Sequence, residues 1–249
     1  MRIVAIIPAR YGSKRFPGKP LAEIAGKPMI QRVVEQARKS SKLSGVYVAT
    51  DDKRIKECVE AFGGRAIMTS SEHASGTDRV HEAATTIGLR SEDIVINIQG
   101  DQPLFPPSLV DKLVRPLEED PDLSMATLYF SVRGKQEGSN PNHVKVVMDN
   151  RGFALYFSRA PIPYFREAGA NPCYAKHLGI YAYRMRFLSR FTQLPVGLLE
   201  EIEKLEQLRA LENGFRIKMV ESPIDSVEVD IEADIAEVED LLRTSPSGA

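Results

Sequence analysis

Ile3-Val4-Ala5-Ile6-Ile7, followed at once by Pro8-Ala9-Arg10-Tyr11-Gly12-Ser13-Lys14-Arg15-Phe16-Pro17-Gly18-Lys19-Pro20-Leu21, is the stretch on which the reading of this chain turns. A short apolar run bounded by turn residues reads as a buried strand. After it, the cations Arg10, Lys14, Arg15 and Lys19 are interleaved with Gly12, Ser13, Pro17 and Gly18. Such a loop makes a poor core and a good cradle for a polyanion. Glycine lets backbone N–H groups approach phosphate oxygens, while Arg and Lys add charge and charge-assisted hydrogen bonds. A solvated basic turn would have the same composition. Its place directly after an N-terminal strand, in a chain that is not basic overall, favours the cradle. The loop is expected to hold a triphosphate.

Working outward, strands and amphipathic helices alternate. Met29, Ile30, Val33, Val34 and Ala37 recur at helical spacing, and Val46 to Ala49 is a short β-rich run ending at Thr50-Asp51-Asp52. Lys53 to Phe62 reads as a helix stopped by Gly63-Gly64, and Val80, Ala83, Ala84 and Ile87 mark another. Ile94 to Ile98 is a second buried strand, running into Gln99-Gly100-Asp101-Gln102-Pro103. Leu109, Val110, Leu113, Val114 and Leu117 form the next helical face. This order predicts an α/β fold with a mostly parallel, doubly wound sheet, whose ligands sit beyond the strands' carboxyl ends. The cationic loop, Asp51 and Asp101 all fall there.

The second half reads differently. Met125 to Val132, Val144 to Met148, Ala154 to Phe157 and Leu178 to Tyr183 are strand-like with few helices between them. They predict a mixed or antiparallel extension of the sheet, with a small lobe from the middle third. Residues 134–141 read as a surface loop, and helices return over 198–211 and 235–242. One domain is expected over residues 1–244, with a disordered tail over 245–249.

Composition narrows the function classes. The chain has 249 residues and a formal net charge of −1, so no global basic field suggests nucleic acid or an anionic membrane as partner. No apolar run approaches the roughly 18 residues of a membrane span. Cys58 falls on an apolar stripe with Ile55, Val59 and Phe62, and Cys173 lies in a polar segment. Two such cysteines give neither a disulfide framework nor a metal-ligand pattern, and a reducing cytoplasm is the expected compartment.

Asp101, at a strand's carboxyl end opposite a phosphate cradle, suits Mg²⁺, which is usually held by one or two carboxylates plus substrate phosphates. It also suits a simple turn. Asp230, closing the alternating run from Ser226, reads either as a second metal ligand or as the cap of the helix that follows. Ser75-Gly76-Thr77-Asp78-Arg79 fits both a helix cap and a small-residue loop for a flat base edge. His177 reads equally as a half-buried sheet residue or a ligand contact, and the other histidines show no metal spacing. Arg159 and the acidic segment 200–206 could complement each other across a sugar pocket.

Taken together, the motifs resemble the CTP-dependent 3-deoxy-manno-octulosonate (Kdo) cytidylyltransferases. The residues that carry the resemblance are the opening loop, VATDD at Val48–Asp52, SGTDR at Ser75–Arg79, NIQGDQP at Asn97–Pro103 and VKVV at Val144–Val147. They continue with ALYFSRAPIP at Ala154–Pro163, KHLGIYAYR at Lys176–Arg184 and KLEQLRALENG at Lys204–Gly214. The resemblance implies one nucleotidyltransferase domain that forms a homodimer. It puts Arg10, Ser13 and Lys19 on the CTP phosphates and Ser75, Gly76, Arg79 and Gln99 at the cytidine. Asp101 and Asp230 resemble a Mg²⁺-binding pair, and Arg10, Lys19 and Asp101 are the implied catalytic groups. Arg159, His177, Tyr181, Glu206 and Gln207 resemble a sugar-binding set.

Two departures stand out. Gln102 occupies a position where the family commonly has Glu, and VDIEAD stands for the common VDTPED, with Asp230 retained. Gln102 resembles the branch that accepts the 8-amino sugar, so Kdo and 8-amino-Kdo both stay open. The sialic acid cytidylyltransferases are a more distant alternative. A non-catalytic nucleotide-sugar sensor is the alternative from another class, and the presence of Arg10, Lys19, Asp101 and Asp230 counts against it.

Overall fold

The β1 strand, Ile3–Ala9, has six of its seven residues buried, as an apolar run flanked on both sides by other strands must. The structure is a computed structural model that describes residues 1–12, 15–167 and 172–244. Ser13 and the tail expected over 245–249 therefore lie outside the described residues. The chain divides into two compact units, one comprising Met1–Asp111 and the segment from Ser226 onward, the other Lys112–Asp225.

In the first unit the loop after β1 closes with a short 3-10 turn at Lys19–Leu21, and β2 (Glu23–Ile24) and β3 (Lys27–Pro28) form a small hairpin. Then come α1 (Met29–Arg38), β4 (Gly45–Thr50), α2 (Lys53–Ala61), β5 (Ala66–Met68), α3 (Gly76–Thr86) and β6 (Ile94–Asn97). The sheet order within the unit is β6-β1-β4-β5, and every pairing in it is parallel. The carboxyl ends of these strands consequently share one edge. Asp52 caps α2 by accepting the Arg54 N–H, and Ser75 caps α3 by accepting the Asp78 N–H. The α4 helix (Pro107–Glu119) carries the chain from the first unit into the second.

The second unit contains β7 (Met125–Arg133), α5 (Lys135–Ser139), β8 (Lys145–Met148), β9 (Ala154–Ser158) and β10 (Cys173–Arg184). After them follow α6 (Met185–Phe191), α7 (Leu198–Glu203), α8 (Leu208–Glu212) and β11 (Ile217–Glu221). β7 and β10 pair antiparallel, β10 with β8 and β8 with β9 likewise, while β11 joins β7 in parallel. The expected change from parallel to mixed pairing is therefore observed. α9 (Asp234–Thr244) closes the first unit, where Val238 joins Ile24, Met29 and Val229 in a buried cluster packed by Phe16, Ala22 and Leu104.

Two expectations are corrected. Residues 134–141 are not all loop, since α5 lies within them. Residues 198–211 are two helices rather than one, because Lys204 takes a left-handed conformation at φ 54°. The break has a physical reason. On an unbroken helix Glu200 and Arg209 would stand about 13 Å apart along the axis. With the chain turned back, Arg209 Nε and Nη2 donate to the two Glu200 oxygens at 2.7 and 2.6 Å, both side chains being buried. β5, α6 and β11 were too short or too weakly patterned to be read from the sequence.

Met29 is fully buried in the cluster that holds the C-terminal return. Met29→Ala is expected to cost about 2–5 kcal/mol by leaving a cavity there. Urea unfolding checks this, and an unchanged midpoint would show that the cluster does not hold the return segment.

Candidate active site

The geometry of the phosphate loop begins at Gly18. Its N–H donates to the Tyr11 carbonyl at 2.9 Å, and its φ of 75° is one that side chains rarely adopt. A Cβ there would also lie 3.1 Å from the Tyr11 ring, which carries the Arg54 guanidinium on its face, 3.4 Å from the ring centroid. The loop therefore closes on itself and delivers Lys19 at a defined place. Lys19 Nζ donates to Asp101 Oδ2 and to the Val229 carbonyl, each at 2.6 Å, and stands 3.7 Å from Asp230 Oδ1. Arg15 approaches Asp230 with both terminal nitrogens at 3.0 Å. Asp230 is not a helix cap, since α9 starts four residues later and it is Asp234 Oδ2 that accepts the Asp230 N–H.

Around this centre lies a cavity of about 300 Å³, lined by Arg10, Arg15, Lys19, His73, Ser75, Gly76, Arg79, Gln99, Gly100 and Asp101 with their neighbours. All belong to the first unit. A Cβ on Gly100 would meet the Pro8 carbonyl at 3.1 Å, so glycine there lets the loops after β1 and β6 come together. Ser75 caps α3 and also lines the cavity. Arg79 is only 4% exposed, and it is held by Thr69 Oγ1 at 2.6 Å and by Asp51 Oδ2 at 3.2 Å. It thereby ties the ends of β4 and β5 to α3, while Asp51 Oδ1 stays buried with no partner among the described residues. Arg79, expected at the cytidine, is thus already tethered within the fold.

The expected nucleotide and metal residues thus converge, apart from Ser13. The metal residues can be tested on the oxygens themselves. Asp101 Oδ2, the Val229 carbonyl and Asp230 Oδ1 gather about one positive charge, the Lys19 ammonium. That is a donor set a small hard cation would accept, with phosphate oxygens and water completing its shell. Among the described residues no group of three or more His, Cys, Asp or Glu forms a closed metal cage. The residues therefore fit a cation shared with a phosphate ligand better than a permanently caged one.

In the second unit, His177 sits on β10 beside a bulge, where the pairing with β7 shifts register between Leu178 and Tyr181. Thr127 fills that irregularity. Its hydroxyl donates to the Ile180 carbonyl at 2.8 Å and lies 3.0 Å from His177 Nε2. The hydroxyl also lies 3.3 Å from the Leu178 carbonyl, and since both carbonyls can only accept, assigning its proton to them makes Thr127 the acceptor of a His177 Nε2–H. Phe157 and Tyr181 pack against the ring, and burial pushes its pKa down to about 3. His177 is thus a neutral, fully embedded sheet residue rather than a half-buried one.

Arg159 does meet the acidic segment. Its N–H donates to Glu203 Oε2 and its Nε to the Glu203 carbonyl, both at 2.9 Å. Burial opposes ionisation of Glu203, but bonds from the Arg159 N–H and the Ser158 and Tyr156 hydroxyls outweigh it and keep the carboxyl below its ordinary range. Of the other expected residues, Gln207 has a buried Nε2 without a partner among the described residues, and Glu206 stands 3.9 Å from Arg209. The sequence reading missed Lys145 and Glu203. Lys145 is completely buried and donates to the carbonyls of Asn140, His143 and Arg159 at 2.9, 2.5 and 2.6 Å. Burial, together with the nearby Arg159 charge, lowers its pKa. A lone lysine among the valines of Val144–Val147 is the available signal.

The profile of the cytidylyltransferase family matches residues 4–220. The chain is 58% identical over 244 residues to the 3-deoxy-manno-octulosonate cytidylyltransferase of Desulfosudis oleivorans, covering 98% of each. It is 53% identical to the 8-amino-3,8-dideoxy-manno-octulosonate cytidylyltransferase of Shewanella sp. strain ANA-3, covering 97% of this chain and 99% of that one. Among solved structures it resembles a CMP:2-keto-3-deoxy-manno-octonic acid synthetase complexed with CTP, with a TM-score of 0.92, 45% identity and coverage of 99% and 100%.

The buried imidazole makes a pH prediction. A histidine that charges near pH 6.5 when unfolded and only near 3 when folded contributes stability that is full above about 6.5 and lost as pH falls toward 3. The stability gap between wild type and His177→Gln should therefore narrow between pH 7 and pH 5 in urea unfolding. Nitrogen NMR of the wild type should show a neutral Nε2–H ring throughout that range; titration near 6.5 would contradict the buried geometry.

Proposed function

We propose that this chain, which belongs to the cytidylyltransferase family, transfers CMP from CTP to the anomeric hydroxyl of a Kdo-type sugar acid, releasing pyrophosphate. The observation that carries the reading is the cavity where Arg10, Arg15 and Lys19 meet Asp101, with Ser75 and Gly76 on its wall. Relatives bearing the Kdo and 8-amino-Kdo names at 58% and 53% identity support the acceptor class. The activated product suits lipopolysaccharide assembly.

In this reading the sugar hydroxyl attacks the α-phosphorus in line and pyrophosphate leaves. No enzyme nucleophile is required. Arg10, Ser13 and Lys19 bind the triphosphate and spread its charge, while Ser75, Gly76, Arg79 and Gln99 hold the cytidine. Asp101 and Asp230 would hold Mg²⁺, which would offset charge on the phosphates and lower the pKa of a nearby hydroxyl. Arg15 and Lys19 are the cations that occupy these carboxylates otherwise. Arg159, Tyr181, Glu206 and Gln207 contact the sugar acid. His177, being neutral, orients rather than exchanges protons. Residues 1–244 act as one catalytic domain.

We further propose a cytoplasmic homodimer. The unpaired Cys58 and Cys173 suit a reducing compartment, and no described helix is long and apolar enough to cross a membrane. Leu155 on β9 and Leu198 and Ile202 on α7 are between 62 and 68% exposed, and these two elements are joined through Glu203. A second copy of the chain is the occupant that would cover them. Sedimentation should give a dimer at micromolar concentration; a monomer would remove this part of the proposal.

The activity is tested by pyrophosphate release from CTP and Mg²⁺ with Kdo and 8-amino-Kdo, separately and in competition. Release with at least one sugar is expected, and Asp101→Asn should lower turnover by at least about a hundredfold. Full turnover in that variant would sink the role of Asp101. Release with neither sugar, from protein that still binds CTP, would favour a sensor.

A further inference from the structure

Gln102 has no contact with the cavity, yet it is only 1% exposed and follows Asp101 directly. Its Nε2 donates to Glu228 Oε1 at 2.9 Å. The amide orientation is forced, because the carbonyl end would face a carboxylate. In consequence Gln102 Oε1 is left buried without a partner among the described residues, which costs free energy. One residue earlier, the Asp101 carbonyl accepts the Val229 N–H at 3.0 Å. Consecutive residues of the β6 turn are thus tied to consecutive residues of the return segment, and Asp230 is the next residue along. Lys19 adds a third tie, between Asp101 and the Val229 carbonyl.

We infer that Gln102 is a positioning residue: its bond to Glu228 sets the separation of the Asp101 and Asp230 carboxylates and so the affinity of the site for a divalent cation. The inference rests on the proposed metal role of those two aspartates. Of the ties, the backbone bond is independent of side-chain identity and Lys19 also faces the phosphates. The amide–carboxylate bond alone belongs to neither chemistry. An ionised carboxylate on the buried side chain at position 102 would face the solvent-exposed Glu228 carboxylate at hydrogen-bond distance, a like-charge contact in place of the bond, which releases the turn from the return segment. Exchanging the two side chains restores an amide–carboxylate bond with its direction reversed, from Gln at 228 to Glu at 102.

The test is Mn²⁺ binding to the CTP complex, followed by electron paramagnetic resonance without sugar so that no turnover occurs. Glu is common at this position in the family, but in this chain position 102 faces Glu228, so Gln102→Glu should weaken Mn²⁺ binding by about 10–100-fold. CTP binding in EDTA should stay within about threefold of wild type, since Gln102 does not line the cavity. The double variant Gln102→Glu/Glu228→Gln should regain most of the Mn²⁺ affinity, with thermal melting confirming that each variant is folded. Unchanged Mn²⁺ affinity in Gln102→Glu, or no recovery in the folded double variant, overturns the inference. Asp101→Asn separates the two levels. If it loses Mn²⁺ while Gln102→Glu does not, only the positioning role fails; if it binds Mn²⁺ like wild type, the metal reading fails and this inference with it.

Discussion

The ammonium of Lys19 is the charge on which the site's arrangement depends. It reaches Asp101 Oδ2 and the Val229 carbonyl at 2.6 Å and lies 3.7 Å from Asp230 Oδ1, with its side chain 14% exposed. Two carboxylates brought this close would repel each other without a cation between them. The loop supplies that cation because Gly18 can take a left-handed turn and because Arg54 pins the Tyr11 ring. Arg15 completes the neutralisation from the solvent side.

The same oxygens suit a divalent ion, and the same cations suit phosphate, so the network is exchangeable. Under the proposed function, a triphosphate would draw Arg15 and Lys19 to itself and free carboxylate oxygens for a metal. Exposed ion pairs such as Arg15–Asp230 contribute little to stability, which makes them inexpensive to exchange. The rigid ties lie elsewhere, in the backbone bond from Val229 to Asp101 and in the buried cluster around Met29 and Val238. The second unit shows the same separation of tasks. Its framework rests on buried polar groups with committed partners, such as Thr127 with His177 and Lys145 with three carbonyls.

Much of the first unit was legible because its signals are local. Ile3–Ile7 and Ile94–Ile98 are apolar runs of strand length, and the helical faces of α1 and α4 repeat at the right period, so the α/β alternation and the shared edge of strand ends followed directly. Legibility failed where a long-range contact decides local structure. Nothing near Lys204 announces a left-handed residue, whose role is understood only once Glu200 and Arg209 are seen face to face. α5 was hidden because Gly134 and Gly138 read as loop residues. His177 looked half-buried because the bulge that encloses it forms only when β10 meets β7.

For the site, the sequence by itself determined which chemical groups are available: a cationic glycine-bearing loop after a strand, a carboxylate at a second strand's end, and another near the C-terminus. These are matters of residue type and spacing, which short-range physics reads well. Only the tertiary structure decided that Asp230 comes back to Asp101 from far along the chain, that Arg79 is tethered between Thr69 and Asp51, and that Gln102 turns inward to Glu228. Pairings between residues distant in sequence depend on the packing of the segments that carry them. Here that packing is the burial of Val229 and Val238 against Ile24 and Met29, a contact that no local pattern specifies.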